Sequence, residues 1–150
     1  MTGTFLMTWN PSSWGGNIRD SFLDAVLAGT PTESHWSTGG TTQALEIGNV
    51  AYLLRQGPEP RGLIARGTIV SDVYQAPHWT GNGRFVNRVD VRWTEAVTVD
   101  SPLPLAVLQH HAPLQHWSPQ GSGTRLRDQY VRTVAELWMA HLAESTEQAT

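Results

Sequence analysis

Two glycines set inside one apolar run, in R-G-L-I-A-R-G-T-I-V-S-D-V-Y-Q-A-P-H-W from Arg61 to Trp79, constrain this chain more than any other feature. Leu63, Ala65, Ile69 and Val70 mark a buried strand, and Gly62 and Gly67 interrupt it. Glycine within a strand marks a bulge, a bend or a close backbone approach, so two of them predict a sheet that curves strongly, as a small barrel requires. Beyond the strand, Ser71, Asp72 and Tyr74, then Pro77, His78 and Trp79, read as a loop rich in hydrogen-bonding and stacking groups. Such a loop is suited to hold a ligand.

At 150 residues the chain fits one domain able to bury a core without disulfides or a metal staple. There is no cysteine, which excludes disulfides, thiolate zinc sites and thiol nucleophiles and is compatible with a reducing compartment. The N-terminal stretch M-T-G-T-F-L-M-T-W-N-P lacks the basic start and long apolar centre of a signal peptide. No apolar run reaches membrane-spanning length. The expectation is a soluble cytoplasmic protein with no membrane association.

Net charge is -3, yet all ten basic residues are arginine and they are unevenly placed. Arg55, Arg61, Arg66, Arg84, Arg88 and Arg92 face only Glu59, Asp72 and Asp90 over the same span, and the acids gather in both flanks. The arginine fork suits phosphate, although a charge cluster is more often a solvated face.

Along the chain, Phe5 to Trp9 reads as a strand, followed by a loop that brings Trp9 and Trp14 together. Asn17 is placed to cap a helix running to about Ala28, with Asp20 reaching back to its first turn, Ile18, Phe22 and Ala25 or Val26 at helical spacing, and Gly29 and Pro31 as the stop. The stretch H-W-S-T-G-G-T-T has no periodicity and reads as a loop holding Trp36. Val50 to Arg55 returns to strand. Arg84 to Trp93 alternates, with Phe85, Val89, Val91 and Trp93 on one face and Arg84, Arg88, Asp90 and Arg92 on the other, the pattern of a half-buried strand. Ala96 to Val99 extends it, and Pro102-Leu103-Pro104 leads into a short helical turn through Leu108. Gln109 to Gly123 reads as a loop. Leu126, Tyr130, Val134, Leu137, Trp138 and Leu142 then define one face of a closing helix from Arg125, with Thr124 as its cap. The domain is expected to span residues 1–143, with a flexible polar tail over 144–150.

Four of the seven tryptophans, Trp14, Trp36, Trp79 and Trp117, sit among Gly, Ser, Pro and His. Taken singly, each has an ordinary explanation: covering a core edge while its indole N–H bonds a carbonyl. Taken together they point to an aromatic pocket at a barrel mouth. The stretch W-S-P-Q-G-S-G-T-R from Trp117 to Arg125 can bring backbone amides, the Ser122 and Thr124 hydroxyls, Gln120 and Arg125 toward one anion or base edge; its plain reading is a glycine-bearing capping loop. His110, His111 and His116 lack the H-E-x-x-H spacing, paired carboxylates or cysteines of a zinc site. Asp72, His78 and Ser122 have no G-x-S-x-G elbow around a serine, which argues against a serine hydrolase.

With F-L-M-T-W-N-P, Y-L-L-R-Q-G, G-L-I-A-R-G-T-I-V-S-D-V-Y, V-D-V-R-W, P-L-P-L and W-S-P-Q-G-S-G-T-R-L in order, the chain resembles an EVE domain of the PUA-like superfamily. Its W-x-P-Q-x-S-G-T-R ending is similar to EVE domains joined to modification-dependent restriction nucleases. The resemblance implies an α+β fold, a pseudo-barrel of five or six mainly antiparallel strands with peripheral helices. It implies a non-catalytic module, without cofactor or metal, that flips a modified base of DNA, such as 5-methylcytosine or 5-hydroxymethylcytosine, into an aromatic pocket, in restriction or defence. By position, Trp14, Trp36, Ser71, Trp79, Trp117, Gln120 and Ser122 are the pocket candidates, with Arg84, Arg88, Arg92 and Arg125 for the nucleic-acid backbone. No HNH pattern or P-loop is present, so a nuclease domain or protein partner would supply any cleavage. An RNA modified-base reader and a small PUA-like amidohydrolase or ribonuclease are the alternatives; the enzyme would need an acid at the pocket, and Asp72 is the nearest.

Overall fold

The computed structural model describes residues 3–12, 22–38, 45–77, 83 and 85–148. Ile18, Asn17, Trp14, His78, Trp79 and Arg84, all singled out above, lie outside them. The described elements run β1 (Thr4–Trp9), α1 (Asp24–Leu27), β2 (Thr32–Ser37), β3 (Val50–Arg55), β4 (Gly62–Ile69), β5 (Tyr74–Pro77), β6 (Phe85–Ala96), β7 (Leu103–Pro104), α2 (Leu105–His111), β8 (Thr124–Arg125) and α3 (Val131–Gln148).

The strands form one sheet in the order β2-β6-β4-β3-β1-β8, with β5 on β6 and β7 on β4. Among the described residues only β1 and β3 pair in parallel; the other described ladders are antiparallel. The glycines of β4 act as the sequence predicts. A Cβ on Gly62 would overlap the Leu103 carbonyl oxygen, and one on Gly67 would overlap that of Arg92. The register with β6 shifts between Arg66 and Gly67, a bulge that bends the sheet. The curl brings its two edges together: a Cβ on Gly123, just before β8, would lie 3.3 Å from Thr38, just after β2. The architecture is α+β, a curled mixed sheet with helices at its periphery.

Inside the curl, Phe22, Trp36 and Trp93 form an aromatic centre. Phe22 stacks on Trp93 with centroids 5.6 Å apart, and Trp36 meets both edge-on at 6.2 and 5.9 Å. Both indoles donate to one acceptor, the Ser34 hydroxyl, at 2.7 Å from Trp36 and 2.8 Å from Trp93. On α3, Val134 and Trp138 are fully buried. Trp138 meets Tyr52 edge-on at 6.1 Å and donates its N–H to Glu95 at 3.0 Å.

Several local expectations are corrected. His35, Trp36 and Ser37 belong to β2 rather than a loop, because β2 pairs with β6 from Thr32 to Ser37. Tyr74 to Pro77 is strand, continuing β4 along β6 after a break at residues 70–73. Gln109 to His111 belong to α2. Thr124 caps no helix: Thr124 and Arg125 pair with Leu6 and Phe5 of β1, and α3 starts at Val131 after a 3-10 turn over Asp128–Tyr130. Residues 144–148 continue α3. Phe85 shares the parity of Val89 and Val91 but is 66% exposed, since it closes the β5–β6 ladder opposite Pro77, at the far end of β6 from the core.

Candidate functional site

The place where the sheet edges meet is built from β1, β2, β6 and the segment leading into β8. The Thr8 amide donates to the Ser122 hydroxyl at 2.9 Å, and the Gly123 and Leu126 amides donate to the carbonyls of Leu6 and Thr4. Thr38 donates its amide to the Asn87 carbonyl at 2.9 Å, fixing the end of β2 against the start of β6. The Trp36–Thr38 end of β2 and the Ser122–Gly123 turn, predicted separately, are thus neighbours.

Trp36 is 3% exposed, part of the inner wall rather than an open platform. Ser71 has a backbone role: its hydroxyl accepts from the Asp90 amide at 2.8 Å and donates to the Asp72 carbonyl, bridging the break between β4 and β5. Its position opposite Asp90 places it one residue along β6 from Val89, which pairs with Trp36. Trp117 is buried and donates to the Ala112 carbonyl at 3.0 Å, the ordinary arrangement for an indole. Gln120 is exposed. The amides after Ser122 are committed to β1, so the Trp117–Arg125 stretch does not present a free cluster of backbone donors at a helix start.

The backbone candidates differ among themselves. Arg92 is held by Glu33 at 2.9 Å, and Arg125 by Asp128 at 3.0 Å while lying 5.8 Å from the Phe5 ring centre. Arg88 donates only a long bond, 3.3 Å, to the Pro77 carbonyl, and its Nε is buried without an acceptor among the described residues. Register places Ser37, Arg88 and Tyr74 in one row across β2, β6 and β5. This row is on the face opposite Trp36, so Arg88 and Trp36 lie on two sides of the sheet.

Sequence reasoning missed the pair Tyr74 and Asp90. The Tyr74 hydroxyl donates to the Asp90 carboxylate at 2.6 Å. Partial desolvation, then that hydrogen bond and charge, push the phenol above its ordinary pKa. Extending the alternation of β6 to its neighbours would have found it. Asp72 is exposed. His110 and His111 pack ring to ring at 5.0 Å, and among the described residues no three His, Asp or Glu side chains converge as metal ligands would. No described helix is long and apolar enough to cross a membrane.

No family model matches the sequence, and no curated protein matches it. Solved structures do. A protein from Leishmania major superposes with a TM-score of 0.64 at 13% identity, over 93% of this chain and 97% of its own. Human THYN1, solved in complex with 5-methylcytosine-containing DNA, gives 0.60 at 13% identity, over 91% and 98%. The fold is PUA-like. The Mmi1 YTH domain also resembles it, with a TM-score of 0.50 at 12% identity over 93% of this chain and 76% of that one. In this PUA-like frame, the junction of β2 with the Ser122 turn sets the buried Trp36 ring near the Ser122 hydroxyl, which already accepts from the Thr8 amide.

Proposed function

We propose that this PUA-like chain is a non-catalytic module that binds a modified base in DNA, most simply 5-methylcytosine or 5-hydroxymethylcytosine, by accepting the flipped base at the junction of β2 with the Ser122 turn. The observation that carries the proposal is that human THYN1, solved with 5-methylcytosine-containing DNA, follows the same curled sheet over 91% of this chain. We further propose that it is an EVE domain serving modification-dependent restriction or defence, with cleavage supplied by another domain or protein.

Energetics limit how such a module discriminates. Extruding a paired base costs a few kcal/mol. Stacking on an aromatic returns roughly 1–3 kcal/mol per base, whereas burying one methyl gives only about 0.8 kcal/mol. A methyl alone therefore yields about fourfold preference, and ring stacking with hydrogen bonds to the base edge carries most of the affinity.

The test is titration of matched DNA and RNA duplexes carrying plain, methylated or hydroxymethylated cytosine, followed by tryptophan fluorescence. Tighter binding of a modified DNA duplex is expected, and tighter still with a mismatch opposite the modified base. Equal affinity for plain and modified DNA refutes the reading, preference for RNA moves it to an RNA reader, and turnover of a modified nucleoside that Asp72→Ala abolishes while binding persists moves it to an enzyme.

A further inference from the structure

Trp9 and Arg55 lie side by side at the ends of the parallel strands β1 and β3. The guanidinium carbon is 5.6 Å from the indole centre. Trp9 is 5% and Arg55 9% exposed. Arg55 donates one NH to the Val99 carbonyl at 2.7 Å. Its Nε and the Trp9 Nε1 are both buried with no acceptor among the described residues, and Arg55 makes no ion pair there.

A guanidinium stays charged, and buried charges are ordinarily paired. Here the cation has one carbonyl acceptor and no counter-charge, and its Nε and the neighbouring indole N–H both lack an acceptor among the described residues, donors of the kind an anionic oxygen ligand takes up. The carboxylate of Glu59 does not do so. It is bound to Arg61 at 2.6 Å, and hydrogen bonds from Arg61 hold it below the usual carboxylate range, with the Arg55 charge a smaller cause.

We infer that Trp9 and Arg55 form an oxyanion site that takes a phosphate group of the bound nucleotide. This deepens the proposed function and rests on it for the nucleotide, though not for the oxyanion. Two contacts link the site to the candidate pocket: Gln56 donates its amide to the Trp9 carbonyl at 2.8 Å and its side chain to the Pro119 carbonyl at 2.8 Å, in the segment leading to Ser122. Asp100, the residue after the Val99 that accepts from Arg55, lines an open cleft of about 500 Å³ together with Glu59, Arg61, Ser101 and Ser118, although Trp9 and Arg55 do not line it themselves. Within that cleft Arg61 offsets Glu59, and Asp100 opposes an anion, so affinity must come from the Trp9 and Arg55 donors rather than from the field of the cleft.

The experiment compares wild type, Arg55→Met and Trp9→Phe with inorganic phosphate, acetate, deoxycytidine monophosphate and deoxycytidine at constant ionic strength, reading Tm and the indole N–H resonance lost in Trp9→Phe. Phosphate and the monophosphate are expected to move that resonance and to raise the wild-type Tm by about 5–10 °C at a hundredfold excess over Kd. Deoxycytidine should do neither. Arg55→Met should equal or exceed wild type in phosphate-free buffer, because an uncompensated buried charge is gone, and should not respond. Trp9→Phe keeps an aromatic ring beside Arg55 but not the N–H, should fold, and should bind phosphate about tenfold more weakly. No response to phosphate or the monophosphate overturns the site, as does a marked loss of stability in Arg55→Met without phosphate. A response to acetate as large as to phosphate overturns the phosphate class, and a response to phosphate without one to the monophosphate overturns the nucleotide. Because no modified base is present, failure here is distinct from failure of base discrimination.

Discussion

Replacing Ser34 by alanine removes one hydroxyl that accepts hydrogen bonds from two indoles, those of Trp36 and Trp93. Trp93 is fully buried, so its N–H has no route to water. A buried donor left without its acceptor costs about 1–3 kcal/mol, and loss of the Trp36 bond adds about 1 kcal/mol. Ser34→Ala should therefore destabilise by roughly 2–4 kcal/mol, far more than a half-buried strand serine ordinarily would. In urea, with a slope of about 2 kcal/mol/M, the midpoint should fall by about 1–2 M while the slope is unchanged. Ser34→Thr retains the oxygen and suits a strand, so it serves as the control and should remain within about 1 kcal/mol of wild type. Tryptophan fluorescence reads the transition directly, since both affected rings report on it. A Ser34→Ala midpoint matching that of Ser34→Thr would refute the shared-acceptor account.

Gly67→Ala places a Cβ 2.9 Å from the Arg92 carbonyl carbon and the Trp93 Cα, both backbone, and should cost about 1–3 kcal/mol or more by urea unfolding, against about 0.5 kcal/mol or less for Phe85→Ser at the exposed end of β6. Tyr52 is buried and its pKa is raised, chiefly by desolvation. Its neutral form is favoured by folding, so this contribution is fully present below the unfolded phenol value of about 10 and is lost as pH rises through the folded pKa; Tyr52→Phe should flatten the alkaline fall in stability followed by fluorescence. If DNA binds across the row formed by Ser37, Arg88 and Tyr74, Arg88→Gln should flatten the log-log salt dependence by about one unit. Arg92→Gln should do less, because Glu33 already holds Arg92; equal effects would show that the ion pair opens on binding.

The sequence made the curl of the sheet legible through Gly62 and Gly67, and β6 through its alternation, because both signals come from steric rules acting on single residues. β2 was hidden for a physical reason. Its inner face carries Ser34 beside Trp36, and that hydroxyl, needed by two indoles, breaks the apolar alternation that would have marked a strand. The start of α3 was misplaced because Leu126 and Tyr130 fall at helical spacing, yet Thr124 and Arg125 are captured by the open edge of β1, a partner more than a hundred residues away in the chain. For the candidate site, residue type was visible but partnership was not. Arg92, Arg125 and Trp117 look available in the sequence, and each is engaged by Glu33, Asp128 or Ala112.

The bond between Thr8 and Ser122 joins residues 114 positions apart, and it lies on the side of β1 that β8 closes. During synthesis, β1 can therefore pair with β3 early but must wait for nearly the whole domain before its second edge is covered. Contacts of such long span are slow to form, and an open strand edge is a template for association between chains. Nascent or truncated forms ending before Thr124 should accordingly be the aggregation-prone ones, and seating of the Gly123 turn against β1 should end that hazard.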